Sequence, residues 1–462
     1  MGEGRSPGVT LSFACETNRP LSYARNMRNS CALLYVLVMA VFVVSVADPT
    51  GQEAPIDPQE RRVVEIILGD VVQDVRSNYY DPKYHGVDLD ALYQEARERV
   101  KAAKSYNQAL ATVAWVLRQL DDSHTFLIPP LRTHKRIYGY SYVMIGDECY
   151  VVAVQPGSDA EKKGLKAGDR ILSFNSIIPA HDNLWEINYL FRVLRPQAAD
   201  GLVLLNRDGT QRTLMLSPEM TAEHYSVAGK DSSWYDRPPQ ESPQRSHVFG
   251  KSVIIWNFPT FMENEEATDR LVADSENYPA MILDLRGNPG GAEKTMLRLI
   301  GNVMDHNATI GTKVMRKANL SLVAKSRGKK VYQGKMLVLV DSRSGSGAEI
   351  FARIMQLEHR ATIIGDRTAG SVMEARFFPH HFPNSSYSAP PDYGAEISQA
   401  DILMPDGKSL EHTGVIPDVK MRPTGSDLAA NRDVVLSHAV HLAGGDLSPE
   451  EAGKLFPIQW PK

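Results

Sequence analysis

The chain is poor in several things, and each shortage narrows what it can be. Its 462 residues hold three cysteines, Cys15, Cys31 and Cys149. Their spacing fits neither a metal-ligand set nor a disulfide framework. Acidic and basic residues nearly cancel, leaving a formal charge of −4, so no basic field exists to draw nucleic acid. There is no Walker loop, no strand-linked Rossmann glycine pattern, no HExxH and no paired-cysteine motif; no cofactor and no metal is expected. The adjacent histidines of "PHHFP" (379–383) come without a third ligand motif and read as loop residues. With 43% hydrophobic and 23% charged residues, the composition is that of a globular chain with room for two or three domains.

One long apolar run is present. "CALLYVLVMAVFVVSVA" (31–47) follows Arg19, Arg25 and Arg28 and precedes "DPTGQEAP". A basic region, an apolar region and small residues before a polar stretch read as a secretory signal. Residues 1–47 are therefore expected to be a signal peptide cut after Ala47, or else a membrane anchor. Either implies an exported protein, periplasmic or extracellular.

Residues 48–130 carry helical periodicity in "VVEIILGDVVQDVRSNYY", "DLDALYQEARERVKAA" and "SYNQALATVAWVLRQL", with Asp88 and Ser105 placed as N-caps. Residues 131–225 alternate β-rich runs with glycine-marked turns, a short helix near 158–163, and a closing hairpin at "GLVLLNRDGTQRTLMLS". The Pro- and Ser-rich stretch 226–249 reads as a linker. Residues 250–425 alternate apolar strands with helices, which predicts an α/β domain with a largely parallel sheet. Within it, 377–396 reads as a long loop. Residues 426–462 form a helical tail.

In such sheets ligands bind beyond the carboxyl ends of the strands. "RGNPGG" and "RSGSGA" fall there. Ser346, between Gly345 and Gly347, opens the helix "AEIFARIMQL". A helix start offers unpaired N–H groups and a positive dipole end, suited to a developing oxyanion. Gly290 or Gly291 could add a second N–H. Taken alone, a small-residue helix start without chemistry explains this stretch better. Ser342 and Ser344 read as turn residues, Ser344 being the fallback nucleophile.

"MILDLRGNPGG", "LVLVDSRSGSGAEIFARIMQLEHRATIIGDRTAGS" and "DGKSLEHTGVIPDV", in that order, resemble the C-terminal-processing, or tail-specific, serine peptidase family. The resemblance implies a crotonase/ClpP-like α/β peptidase domain, Ser346 as nucleophile, and an oxyanion hole from Gly347 with Gly290 or Gly291. The better-known branch uses a lysine twenty-five residues after the nucleophile. Ser371 stands there, and no lysine occurs between Lys335 and Lys408. The tricorn-core branch instead carries a Ser-His pair and a glutamate before G-V-x-P-D, matched here by Ser123, His124 and Glu411. That resemblance implies a tetrad in which His124 is the base, Ser123 holds its other nitrogen and Glu411 orients Ser123. Glu396 is the other candidate for the last role.

"GSDAEKKGLKAGDRILSFN" (157–175) resembles a PDZ domain, which implies an inserted module that takes an extended peptide by its carboxylate, with Tyr138, Gly139 and Tyr140 in the nest loop. The expected function is an exported serine endopeptidase acting on unfolded or C-terminally exposed polypeptides. The alternative is a non-catalytic binder of peptides or apolar ligands on the same fold.

Overall fold

The computed structural model describes residues 54–460, except 131–133, 207, 223–243, 384 and 386–390. The apolar run 31–47 and most of the expected linker lie outside the described residues. No helix among the described residues is long and apolar enough to cross a membrane.

The chain opens with helices Pro58–Asn78, Leu89–Ala102 and Tyr106–Arg118. Asp57 caps the first through a reciprocal pair with Glu60, and Asp88 and Ser105 cap the others, each satisfying N–H groups that the helix cannot. Val64, Ile67, Leu68, Val71, Val72 and Val75 recur at three and four and bury one stripe. They pack on the other two helices and on strand β1 (Phe126–Ile128). Each such side chain contributes about 1.5–3 kcal/mol on burial.

Strands β2 (His134–Ile137) and β8 (Glu219–Ala222) pair as an antiparallel ribbon. Between them in sequence lies a five-stranded antiparallel sheet in the order β3 (Tyr140–Ile145), β4 (Glu148–Val154), β5 (Arg170–Phe174), β6 (Asp200–Leu205), β7 (Gln211–Leu216). It has its own core, including Val151, Ile171, Leu202 and Leu204. β3 is an edge.

Strands β9 (Arg245–Phe249), β10 (Val253–Asn257), β11 (Ala280–Asp284), β14 (Lys335–Val340), β15 (Thr362–Gly365) and β18 (Val419–Lys420) form a six-stranded sheet in the order β18-β15-β14-β11-β10-β9. All pairings are parallel except β9 with β10. Helices Glu293–Val303 and Gly347–Leu357 cover one face. Val434–Leu442 covers the other. Both faces being buried, Ala280–Asp284 and Met336–Val340 are almost wholly apolar, as parallel strands require.

A second sheet joins β12 (Ala308–Met315), β13 (Asn319–Ala324), β16 (Met373–His380) and β17 (Tyr393–Leu403) with β1. β17 pairs with β1 at its start and β12 at its end, while β16 runs along its other edge.

Two expectations need correction here. The linker expected over 226–249 ends in strand β9, which returns on β10 through a turn at Gly250; its polar "RSHVF" suits an edge. The loop expected over 377–396 gives its two ends to β16 and β17, leaving 381–392 as the connection. Pro379 masked the strand, but an edge tolerates proline because one side of its backbone needs no partner.

Candidate active site

Ser346 sits where β14 gives way to the helix Gly347–Leu357. Its backbone is at φ 50°, ψ −118°, a region that costs a non-glycine residue about 1–3 kcal/mol and is occupied only when the surroundings enforce it. A strained serine at a sharp strand-to-helix turn presents its hydroxyl outward. Ser346 is partly exposed.

The enforcement is visible. Ser346 N–H is shared between Ser371 O at 2.8 Å and Glu349 Oε2 at 3.1 Å. The buried Glu349 carboxylate also accepts from Thr368 Oγ1 (2.5 Å), Gly370 N–H (2.7 Å) and Ser371 N–H (2.9 Å). Burial pushes this carboxyl up to about 7, against the donors that favour its charge. Of the neighbouring serines, Ser344 is fully buried and tied to Leu285 O (2.8 Å) and Asp341 N–H. Ser342 donates to Met144 O of β3 at 2.7 Å. Both serve the turn.

Gly347 N–H, at the helix start, has no acceptor among the described residues. The expected glycine partners differ. Gly290 N–H donates to Asn288 Oδ1 at 2.8 Å, so it is committed within its own turn, whereas Gly291 N–H has no acceptor among the described residues. Gly290 still matters sterically. A Cβ on it would stand 2.7 Å from Ser346 Cβ and 2.8 Å from Gly347 N, so the "NPGG" turn abuts the serine.

Ser123 and His124 lie between the last N-terminal helix and β1. Ser123 N–H donates to Glu411 Oε1 at 2.7 Å, and Ser123 Oγ donates to Glu411 Oε2 at 2.9 Å. Ser123 Oγ is also 2.7 Å from His124 Nδ1. A hydroxyl has one proton; with that proton on Glu411, Nδ1 must be the donor. Nε2 then carries the lone pair, as a base requires. Burial lowers the His124 pKa, partly offset by Glu411 and Asp122, so the ring is neutral near pH 7.

Glu411 Oε2 also accepts from Val372 N–H at 2.7 Å, beside the Ser371 that holds Ser346. The four residues thus lie on one hydrogen-bonded path. Ser123, His124 and Glu411 meet directly, and Ser346 joins through the 371–372 backbone. No bond between His124 Nε2 and Ser346 Oγ is present among the described residues; such contacts often close only on substrate. Glu396 is not on this path.

The expected nest residues Tyr138, Gly139 and Tyr140 lead into β3. Tyr138 and Tyr140 are buried, their hydroxyls donating to Gln197 O and Asp200 Oδ2. Their side chains are thus internal, and only backbone is available at Gly139. No cluster of metal-ligating side chains occurs among the described residues. Glu349 had a sequence signal, its spacing from Ser346; the Ser342–Met144 contact had none.

Residues 253–421 match the model of peptidase family S41, and 64–113 match the tricorn protease C1 domain. A carboxyl-terminal-processing protease of Picosynechococcus is 22% identical over 412 residues, 86% of this chain and 90% of its own. Among solved structures, mature CPAF superposes with a TM-score of 0.60 at 15% identity, over 80% of this chain and 94% of its own. The photosystem II D1 C-terminal processing protease gives 0.52 at 17%, over 84% and 99%. The chain therefore carries a peptidase family S41 domain, the domain of carboxyl-terminal-processing serine peptidases, over residues 253–421, with a tricorn-type helical segment ahead of it.

Proposed function

We propose that the chain is an exported serine endopeptidase that cleaves unfolded or C-terminally exposed polypeptides through Ser346, His124, Ser123 and Glu411. His124 Nε2 takes the proton of Ser346 Oγ as the hydroxyl attacks the scissile carbonyl. The oxyanion forms against Gly347 N–H and a second N–H of the "NPGG" turn, Gly291 being the uncommitted one. His124 then gives its proton to the leaving amine. Water, deprotonated by the same nitrogen, hydrolyses the ester and frees Ser346. Ser123 and Glu411 hold the imidazole tautomer.

The observation that carries this reading is the Glu411–Ser123–His124 relay joined through Val372 to the serine turn. Export rests on the run 31–47, which as an uncleaved segment would anchor the protein to a membrane. The inserted sheet is assigned as PDZ-like, presenting peptide along the β3 edge beside Gly139. A serine-directed fluorophosphonate tests the chemistry. Labelling should vanish in Ser346→Ala and fall sharply in His124→Ala. Absence of labelling in the natural protein, with tight binding of an apolar ligand, would overturn the reading.

A further inference from the structure

Glu396 lies on β17 between Ala395 and Ile397, both fully buried against the N-terminal helices. Strand alternation sends Glu396 to the opposite face. Ser398, two residues on and on that same face, donates to Asp122 Oδ1 at 2.8 Å. Asp122 Oδ1 also accepts from His124 N–H at 2.9 Å. Glu396 is therefore on the face where the segment bearing the proposed base is seated. Directly across β1 from it is Phe126, two residues after His124. Directly across β16 is Phe377.

The carboxylate is thus flanked by two phenylalanines and partly exposed. No hydrogen bond or ion pair reaches it among the described residues, and burial alone pushes it up to about 7. Other carboxyls raised by burial are served: Glu349 has four donors, and Glu186 pairs with Arg118. A half-buried carboxylate without a counterion is costly unless something cationic arrives. Aromatic neighbours suit the methylene stem of such a cation.

We infer that Glu396 is a specificity-determining residue, pairing with a lysine or arginine side chain of the polypeptide within two residues of the scissile bond. This rests on the peptidase reading. The test is digestion of a peptide library by the full chain, with cleavage sites read by mass spectrometry and fluorophosphonate labelling run in parallel. Lysine and arginine should be enriched at one fixed position. In Glu396→Gln the ratio of basic to neutral residues there should drop about tenfold or more. Glu396→Arg should favour Asp and Glu instead. In the natural protein the same ratio should rise with pH through about 7, as the free carboxyl ionises. Using a ratio cancels the titration of His124. Labelling and cleavage without basic enrichment would overturn the inference alone. Neither labelling nor cleavage would overturn it together with the peptidase reading.

Discussion

Glu411 Oε2 lies 2.9 Å from Ser123 Oγ although 288 positions separate them. That contact fixes which nitrogen of His124 holds the proton. Ser123→Ala or Glu411→Gln should therefore lower kcat about a hundredfold or more, with little change in KM. Steady-state kinetics on a fluorogenic peptide checks this. A loss confined to KM would contradict it.

The acid limb of kcat/KM should lie below the ordinary imidazole range, because burial lowers the His124 pKa. Glu411 acts in the opposite sense, favouring the charged ring. Removing its charge in Glu411→Gln should shift the limb further towards acid. A pH–rate profile showing an alkaline shift would mean that the base is another group.

Gly290 has φ +99°, and a Cβ there would collide with Ser346 Cβ and Gly347 N. Gly290→Ala should abolish fluorophosphonate labelling while leaving a folded protein destabilised by about 1–3 kcal/mol. Circular dichroism and labelling together separate the two effects. Undiminished labelling would place the "NPGG" turn away from the nucleophile.

Ser346 holds a backbone conformation that glycine adopts without cost. Ser346→Gly should be more stable than Ser346→Ala by about 1 kcal/mol, although both are inactive. Denaturant midpoints decide it, and an alanine variant of equal stability would show that the turn stores no strain.

His380 bonds Asp74 at 2.7 Å, stands 3.9 Å from Asp70 and stacks on Tyr393. The Asp74 hydrogen bond raises its pKa. A raised imidazole pKa means that folding favours the proton. The stabilisation is complete below about 6.5, the unfolded value, and disappears as pH rises through the folded value. Melting curves of the natural protein and His380→Gln should differ most in acid and converge in alkali. A gap that widens with pH would refute the assignment.

Much of this was legible before any coordinates. Helix spacing and caps at Asp88 and Ser105 need only local chemistry, and the apolar runs of β11 and β14 announce a doubly covered sheet. Ser346 and Glu349 share one turn, so their relation shows in their spacing. The relation of Ser123 to Glu411 depends on two sheets meeting, and only the family likeness hinted at it. β9 and β16 escaped because edge strands carry polar residues and proline, which blur the alternation. The commitment of Gly290 N–H escaped because it depends on the rotamer of Asn288. The tyrosines at 138 and 140 read as ligand contacts, but Asp200 and Gln197, far along the chain, claim their hydroxyls.

The backbone at Ser371 receives the N–H of Ser346, and Ser371 occupies the place that the family resemblance gives to the lysine of the other branch. Chain geometry at that point is thus held independently of the side chain it bears. A lineage could exchange an amine arriving from this turn for an imidazole arriving from the far helical segment, one residue at a time, without rebuilding the pocket. Two kinds of peptidase would then be neighbours in evolution, separated by substitutions and not by architecture.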